Sequence, residues 1–127
     1  IFGYSVFNDI SSRNLQTGHG QWFYGKSLDT YASMGPVIVG REELPFPVEL
    51  EVRSFVNGQL RQHSNTRNFI HGYIRIIPVI TLECGDIIAT GTPSGVGMGY
   101  DPPRYMKKGD QVICEIEKIG KLTNIID

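Results

Sequence analysis

The chain has 127 residues, a formal net charge of −1, 20% charged residues and 40% hydrophobic residues. That length holds one domain at most, with a modest core, and the composition is that of an ordinary globular protein. No basic excess points to nucleic acid, no apolar run is long enough to span a membrane, and the opening IFGYSVFNDI has neither the basic flank nor the cleavage site of a signal peptide.

Residues 1–7, IFGYSVF, read at once as a strand of β-branched and aromatic residues, with no loose polar leader before it. A chain that starts inside a core is expected to be N-terminally truncated. Asp9 ends that strand, and Ser11 or Ser12 is placed to cap a short helix through Gln16. Thr17 to Gly20 reads as loop, and Pro36-Val37-Ile38-Val39 as a short apolar strand. Leu44-Pro45-Phe46-Pro47 is a proline-punctuated connection. Glu49 to Val56 alternates polar and apolar, as a half-buried strand does. Asn57-Gly58 and then Gln59 to His63 complete a strong hairpin signal.

Asn68 to Ile77 suits a helix, weakened by Gly72 and its β-branched residues. Thr81 to Asp86 is a turn, Ile87 to Thr90 a buried strand, and Gly91 to Pro103 a glycine- and proline-rich loop. Lys107-Lys108-Gly109-Asp110 is a turn between that loop and two closing strands, Gln111 to Ile116 and Lys121 to Ile125. The sum is a mainly β (α+β) fold with one or two short helices, arranged as a sandwich, barrel or roll. Cys84 and Cys114 are too few for a zinc motif or a disulfide framework. Two buried or half-buried thiols in a reducing compartment are the plain reading, which makes the cytoplasm the expected location.

Four segments carry groups that chemistry needs. In Asn8 to Gln16, Asp9 offers a carboxylate at a strand end, which a hard cation accepts. Arg13 and Gln16 share a helix face, and an arginine can clamp a carboxylate with two hydrogen bonds. On spacing alone, a capping Asp and a surface Arg explain the segment better. In Gln21 to Thr30, three aromatics run into Gly25-Lys26. A lysine on an apolar wall stabilises a developing oxyanion or works as acid or base if burial lowers its pKa. Taken alone, a solvated lysine after an aromatic core strand explains the segment better. Ala89 to Gly97 exposes backbone N–H groups at Gly91 and a hydroxyl at Thr92, which suits an anion. It is neither a phosphate-binding Walker loop nor a dinucleotide fingerprint.

Glu49 and Glu51 are two apart on a strand and share a face, but that face is expected to be the wet side of a sheet rather than a metal pair. His19, His63 and His71 have no ligand spacing, and no nucleophile elbow is present.

Taken in order, NDISSRNLQ, QWFYGKSLDTYASMGPVIV, VNGQLRQHSNT, ITLECGDIIATGTPSGVG and KKGDQVICEIEKIGKLTN resemble the fumarylacetoacetate hydrolase family over nearly the whole chain. The resemblance implies residues 1–127 are part of a catalytic domain with a mixed β-roll or β-sandwich fold, usually in a homodimer, with one Mg²⁺ or Mn²⁺ per site. It puts Asp9 on a metal carboxylate, Arg13 and Gln16 on the substrate pocket, and Lys26 on the lysine that steadies an enolate. Thr92, beside Gly91, falls on the residue that holds the substrate carboxylate. Members hydrolyse, decarboxylate or isomerise 2-oxo acids such as acylpyruvates and unsaturated 2-oxo diacids, all through an enolate.

Three departures qualify the resemblance. The family's upstream Glu-x-Glu ligands and His-Glu dyad have no counterpart in the eight residues before Asp9. Asn14 stands where an aspartate is usual, and the segment from Asn65 to Ile80 is compressed. One carboxylate is a poor Mg²⁺ site, so this chain alone is expected to bind metal weakly and turn over little. The competing expectation is a non-catalytic subunit that dimerises or binds a carboxylate ligand.

Overall fold

The computed structural model of the chain describes residues 1–18, 20–70 and 80–127. Strand β1 (Gly3–Asp9) pairs antiparallel with β2 (Ala32–Gly40), from Gly3 opposite Gly40 to Asp9 opposite Ala32. Two short helices, α1 (Arg13–Gly18) and α2 (Trp22–Lys26), fill the connection between them. The remaining strands among the described residues are β3 (Glu51–Val56), β4 (Gln59–Asn65), β5 (Gln111–Ile116) and β6 (Gly120–Ile125). They form one antiparallel sheet in the order β4-β3-β5-β6.

The hairpin signal is realised. Val56 faces Gln59 across a two-residue turn in which Asn57 and Gly58 both take positive φ, 50° and 77°. That backbone twist matches the twist of the flanking strands, and Asn-Gly tolerates it. The Lys107–Asp110 turn also forms: Lys107 N–H donates to Asp110 Oδ2 at 2.8 Å, and Asp110 N–H to the Lys107 carbonyl at 3.0 Å.

The β1-β2 pair lies across the β5-β6 half of the larger sheet. Between them sit Val6, Leu44, Val48, Leu50 and Ile119, with Tyr4, Val39, Cys114, Ile116 and Leu122 packed around. Val6, 1% exposed, is the centre of this small core. Neutral amides tie the layers together. Asn8 Nδ2 donates to Asn124 Oδ1 at 3.0 Å, and Asn124 Nδ2 to Ser33 Oγ at 3.1 Å.

Several expectations need correction. Ile87 to Thr90 is not a buried strand: it pairs with no described strand, and Ile87 and Ile88 are 59% and 37% exposed. An apolar run needs a neighbouring ladder before it counts as a strand, and the described residues offer none there. Trp22-Phe23-Tyr24 is not strand but helix, with its aromatics outward. Strand β2 is longer than Pro36–Val39 because β1 pairs along its whole length. The helix after Asp9 forms, but the Ser11 hydroxyl turns back to the Asp9 carbonyl (3.3 Å). Thr66–Asn68 is a single 3₁₀ turn. The proposed helix beyond it, residues 71–77, lies outside the described residues, as do His19 and His71.

Of the two thiols, Cys114 is half-buried but Cys84 is exposed. Burial pushes the Cys114 thiol up to about 11, which keeps it protonated and inert at neutral pH. No helix among the described residues is long and apolar enough to cross a membrane.

Candidate active site

A broad open groove of about 1910 Å³ runs between β1, the α1-α2 corner, the β3-β4 face and the glycine-rich loop. Asp9, Arg13, Lys26, Gly91 and Thr92 all line it. A smaller recess of about 390 Å³ beside Tyr4, Arg41 and Phe46 contains none of them.

The corner is built by a close approach. Ser12 N–H donates to the Gly25 carbonyl at 2.9 Å, joining α1 to α2. A Cβ on Gly25 would lie 2.6 Å from Gln16 N and 2.7 Å from the Ser12 carbonyl oxygen, so only glycine lets the helices meet at this distance. The residue after it, Lys26, then reaches back to the end of β1, where its Nζ pairs with Asp9 Oδ2. Side-chain exposure of 27% for Lys26 and 44% for Asp9 leaves the pair open to the groove.

Arg13 and Gln16 share a helix face, as their spacing requires. Gln16 is 4% exposed and does not line the groove. Its Oε1 accepts from Arg13 Nη1 at 2.8 Å, so it meets the groove only through the guanidinium it holds.

Across the groove, Gly91 takes φ +99°, a backbone that a side chain would strain. Thr92 follows it, exposed. Its hydroxyl oxygen accepts from Gln62 Nε2 at 2.7 Å, and the same nitrogen donates to the Pro93 carbonyl at 2.8 Å. Further along, a Cβ on Gly95 would fall 2.1 Å from the Arg61 carbonyl oxygen, and one on Gly97 would fall 2.4 Å from that of Arg104. The guanidiniums of Arg61 and Arg104 lie 5.4 and 4.7 Å from the Tyr100 ring centre. Cation–π contacts thus pin the loop to β4. Gln62, Arg61 and Tyr100 were not singled out from the sequence; Gln62 in particular reads there only as a polar position on an alternating strand.

Glu51 is engaged by its own sheet. Asn65 Nδ2 donates to Glu51 Oε1 at 2.9 Å, and His63 Nε2 lies 2.5 Å from Oε2. These hydrogen bonds, Asn65's first, hold the Glu51 carboxyl below its ordinary pKa. Glu49 is exposed while Leu50 between them is buried, which is the half-wet strand face expected.

Among the described residues, no three His, Cys, Asp or Glu side chains converge on a point that could hold a metal ion. Mg²⁺ demands six oxygens in near-octahedral array, and here Asp9 is one carboxylate already paired with an ammonium group. The described residues alone do not fit a resident divalent cation.

What the arrangement can do is bind an anion. Arg13, Lys26 and the Thr92 hydroxyl border one groove beside the Asp9 carboxylate; Arg53, Arg61 and Arg104 line it further along, as do Glu83, Asp86 and Glu115. The comparisons place the chain at the level of family. The model for the fumarylacetoacetate (FAA) hydrolase C-terminal region matches residues 1–127. Oxaloacetate tautomerase YisK of Bacillus subtilis is 47% identical over 130 residues, covering 99% of this chain and 43% of that protein. The solved fumarylacetoacetate hydrolase of Exiguobacterium antarcticum superimposes with a TM-score of 0.92 at 45% identity, over 99% of this chain and 47% of that one. The 2-hydroxyhepta-2,4-diene-1,7-dioate isomerase of Mycobacterium marinum gives a TM-score of 0.84 at 43% identity, over 98% and 47%. The chain thus spans about half the length of the relatives it matches, and with its sequence motifs, strand order and groove it belongs to the fumarylacetoacetate hydrolase family.

Proposed function

We propose that the intact protein is an enzyme of 2-oxo acids that works through an enolate, and that this chain supplies its substrate-orienting wall. The observation that supports this most is the corner where Lys26 is held against Asp9 at the lip of a groove shared with Arg13 and Thr92. Thr92, set forward by the Gly91 turn, takes the substrate carboxylate. Arg13, steadied by Gln16, adds a charge-assisted hydrogen bond to an acidic oxygen of the substrate. Lys26 donates to the 2-oxo oxygen as it becomes an enolate oxygen, where a fixed cation is worth more than in the ground state. Hydrolysis, decarboxylation and isomerisation of such acids share that enolate.

Asp9 is proposed as one ligand of Mg²⁺ or Mn²⁺, with the remaining ligands from outside the described residues. A homodimer and a small-molecule 2-oxo acid complete the reading. The test is oxaloacetate enolisation and acylpyruvate cleavage by the intact protein with added Mg²⁺ or Mn²⁺. Lys26→Met should lower kcat about a hundredfold or more with a smaller change in KM, as loss of an oxyanion donor does. A Lys26→Met protein with unchanged kcat would remove Lys26 from the mechanism. The second reading is a non-catalytic subunit that binds a carboxylate. Binding of a carboxylate ligand without turnover, and with no response to either metal, would select it.

A further inference from the structure

The β3-β4 hairpin carries a bulge. Ser54 faces Gln62 and Phe55 faces Leu60, so Arg61 is the extra residue. Bulges re-aim side chains, and this one sets Gln62 directly opposite Ser54 while the Arg61 carbonyl meets Gly95. The Gln62 amide is then held at both ends. Ser54, 8% exposed, donates from Oγ to Gln62 Oε1 at 2.7 Å. Gln62 Nε2 reaches the Pro93 carbonyl at 2.8 Å and Thr92 Oγ1 at 2.7 Å.

The Pro93 contact decides the polarity of the whole chain. A carbonyl oxygen only accepts, so the amide nitrogen must lie on that side. The same nitrogen therefore donates to Thr92, whose hydroxyl oxygen accepts. A hydroxyl has one proton, and the Thr92 proton is left for a third partner. Thr92 is exposed and on the groove wall, where an acceptor such as a carboxylate oxygen would take that proton.

We infer that Gln62 is a positioning residue: through the Ser54–Gln62–Thr92 relay it leaves the Thr92 proton free to point into the groove and so favours a hydrogen-bond acceptor, such as an anionic group, there. The inference rests on the reading of Thr92 as the carboxylate contact. The plainer alternative is that Gln62 only tethers the loop through Pro93.

The two separate in a double-mutant cycle. The readout is the dissociation constant of oxalate, measured by calorimetry on the intact protein at fixed Mg²⁺ concentration. Thr92→Val should weaken oxalate about tenfold, as loss of one hydrogen bond to a charged group does. Gln62→Met should weaken it about threefold or more in the wild-type background and add nothing in the Thr92→Val background. An equal loss in both backgrounds means a loop tether and overturns the inference, leaving the Thr92 reading intact. Unchanged affinity in Thr92→Val overturns the Thr92 reading itself and the relay with it. Gln62→Glu keeps the shape but only accepts, so it should capture the Thr92 proton and cost more affinity than Gln62→Met. Gln62→Glu with wild-type affinity would sink the proposal, and a thermal melt of each variant confirms that it is folded.

Discussion

Two carboxylates illustrate how single residues hold this fold together without belonging to its chemistry. Asp110 accepts from Asn57 Nδ2 at 2.9 Å and from the Lys107 N–H at 2.8 Å. Glu51 accepts from Asn65 and His63. Hydrogen bonds to the charged form lower a pKa, and both groups lie below their ordinary values, with Asn57 the main cause for Asp110 and Asn65 for Glu51. A folded-state pKa below the unfolded one gives stability that is present at neutral pH and lost as pH falls through the folded value. Stability should therefore be flat near neutrality and decline once pH drops below the ordinary values of 4.5 for Glu51 and 3.8 for Asp110. Urea midpoints across pH 3–7, a window set by those carboxylate values, should show a shallower acid slope in Asp110→Asn and Glu51→Gln. An unaltered slope in both variants would assign the acid loss to other groups. At this scale the sequence singled out Asp9, Arg13 and Lys26 by type, and the structure brings the three to one groove. It was silent about Gln62, because nothing local links a strand glutamine to a hydroxyl thirty residues on.

The elements that build the corner depend on one missing side chain. Gly25 lets α1 and α2 approach so closely that an added methyl group would run into the backbone of Ser12 and Gln16. Gly18, at the end of α1, has open space at the same position. Gly25→Ala should destabilise the intact protein by about 1–3 kcal/mol, the usual cost of overpacking, and loosen Lys26 from Asp9. Gly18→Ala should be neutral or slightly stabilising, by about 0.4–1 kcal/mol, because it restricts the unfolded chain. Denaturant midpoints of the two variants test the contrast, and equal effects would contradict it. Element by element, legibility followed the locality of the signal. The Asn57-Gly58 hairpin could be read because its turn chemistry is contained in two residues. Ile87 to Thr90 was misread because apolar sequence reports a wish for burial, not the presence of a partner strand. Trp22 to Tyr24 was misread as strand because aromatics favour strands on average, whereas here helix packing through Gly25 decides.

At the scale of the whole molecule, surface is the dominant quantity. A compact monomer of this mass exposes about 6,800 Å², whereas this chain exposes 9150 Å². The excess is carried partly by apolar side chains: Phe2 is 85% exposed, Phe23 77%, Trp22 69% and Ile70 92%. Apolar area on this scale calls for a covering surface. The 127-residue chain purified alone should bind an apolar-sensitive fluorescent dye strongly and the intact protein weakly. Equal and low dye binding by both would mean that the chain covers these residues by itself. The general architecture, mainly β with, among the described residues, two short helices and a layered core, was legible from alternation and turns. The groove was not, since its walls come from residues far apart in the chain.

The amide link from Asn8 through Asn124 to Ser33 has a consequence for how the molecule is made. Asn8 and Asn124 are 116 positions apart, while Asp9 and Lys26 are only 17 apart. A polypeptide emerging from the ribosome can assemble the Asp9–Lys26 corner almost immediately. The strand beneath that corner must wait until Asn124, 116 positions further on, has been synthesised before Asn8 finds its partner. Contacts of such long sequence separation form late and slow folding, so the Asp9–Lys26 corner can form well before the amide link that secures the strand beneath it.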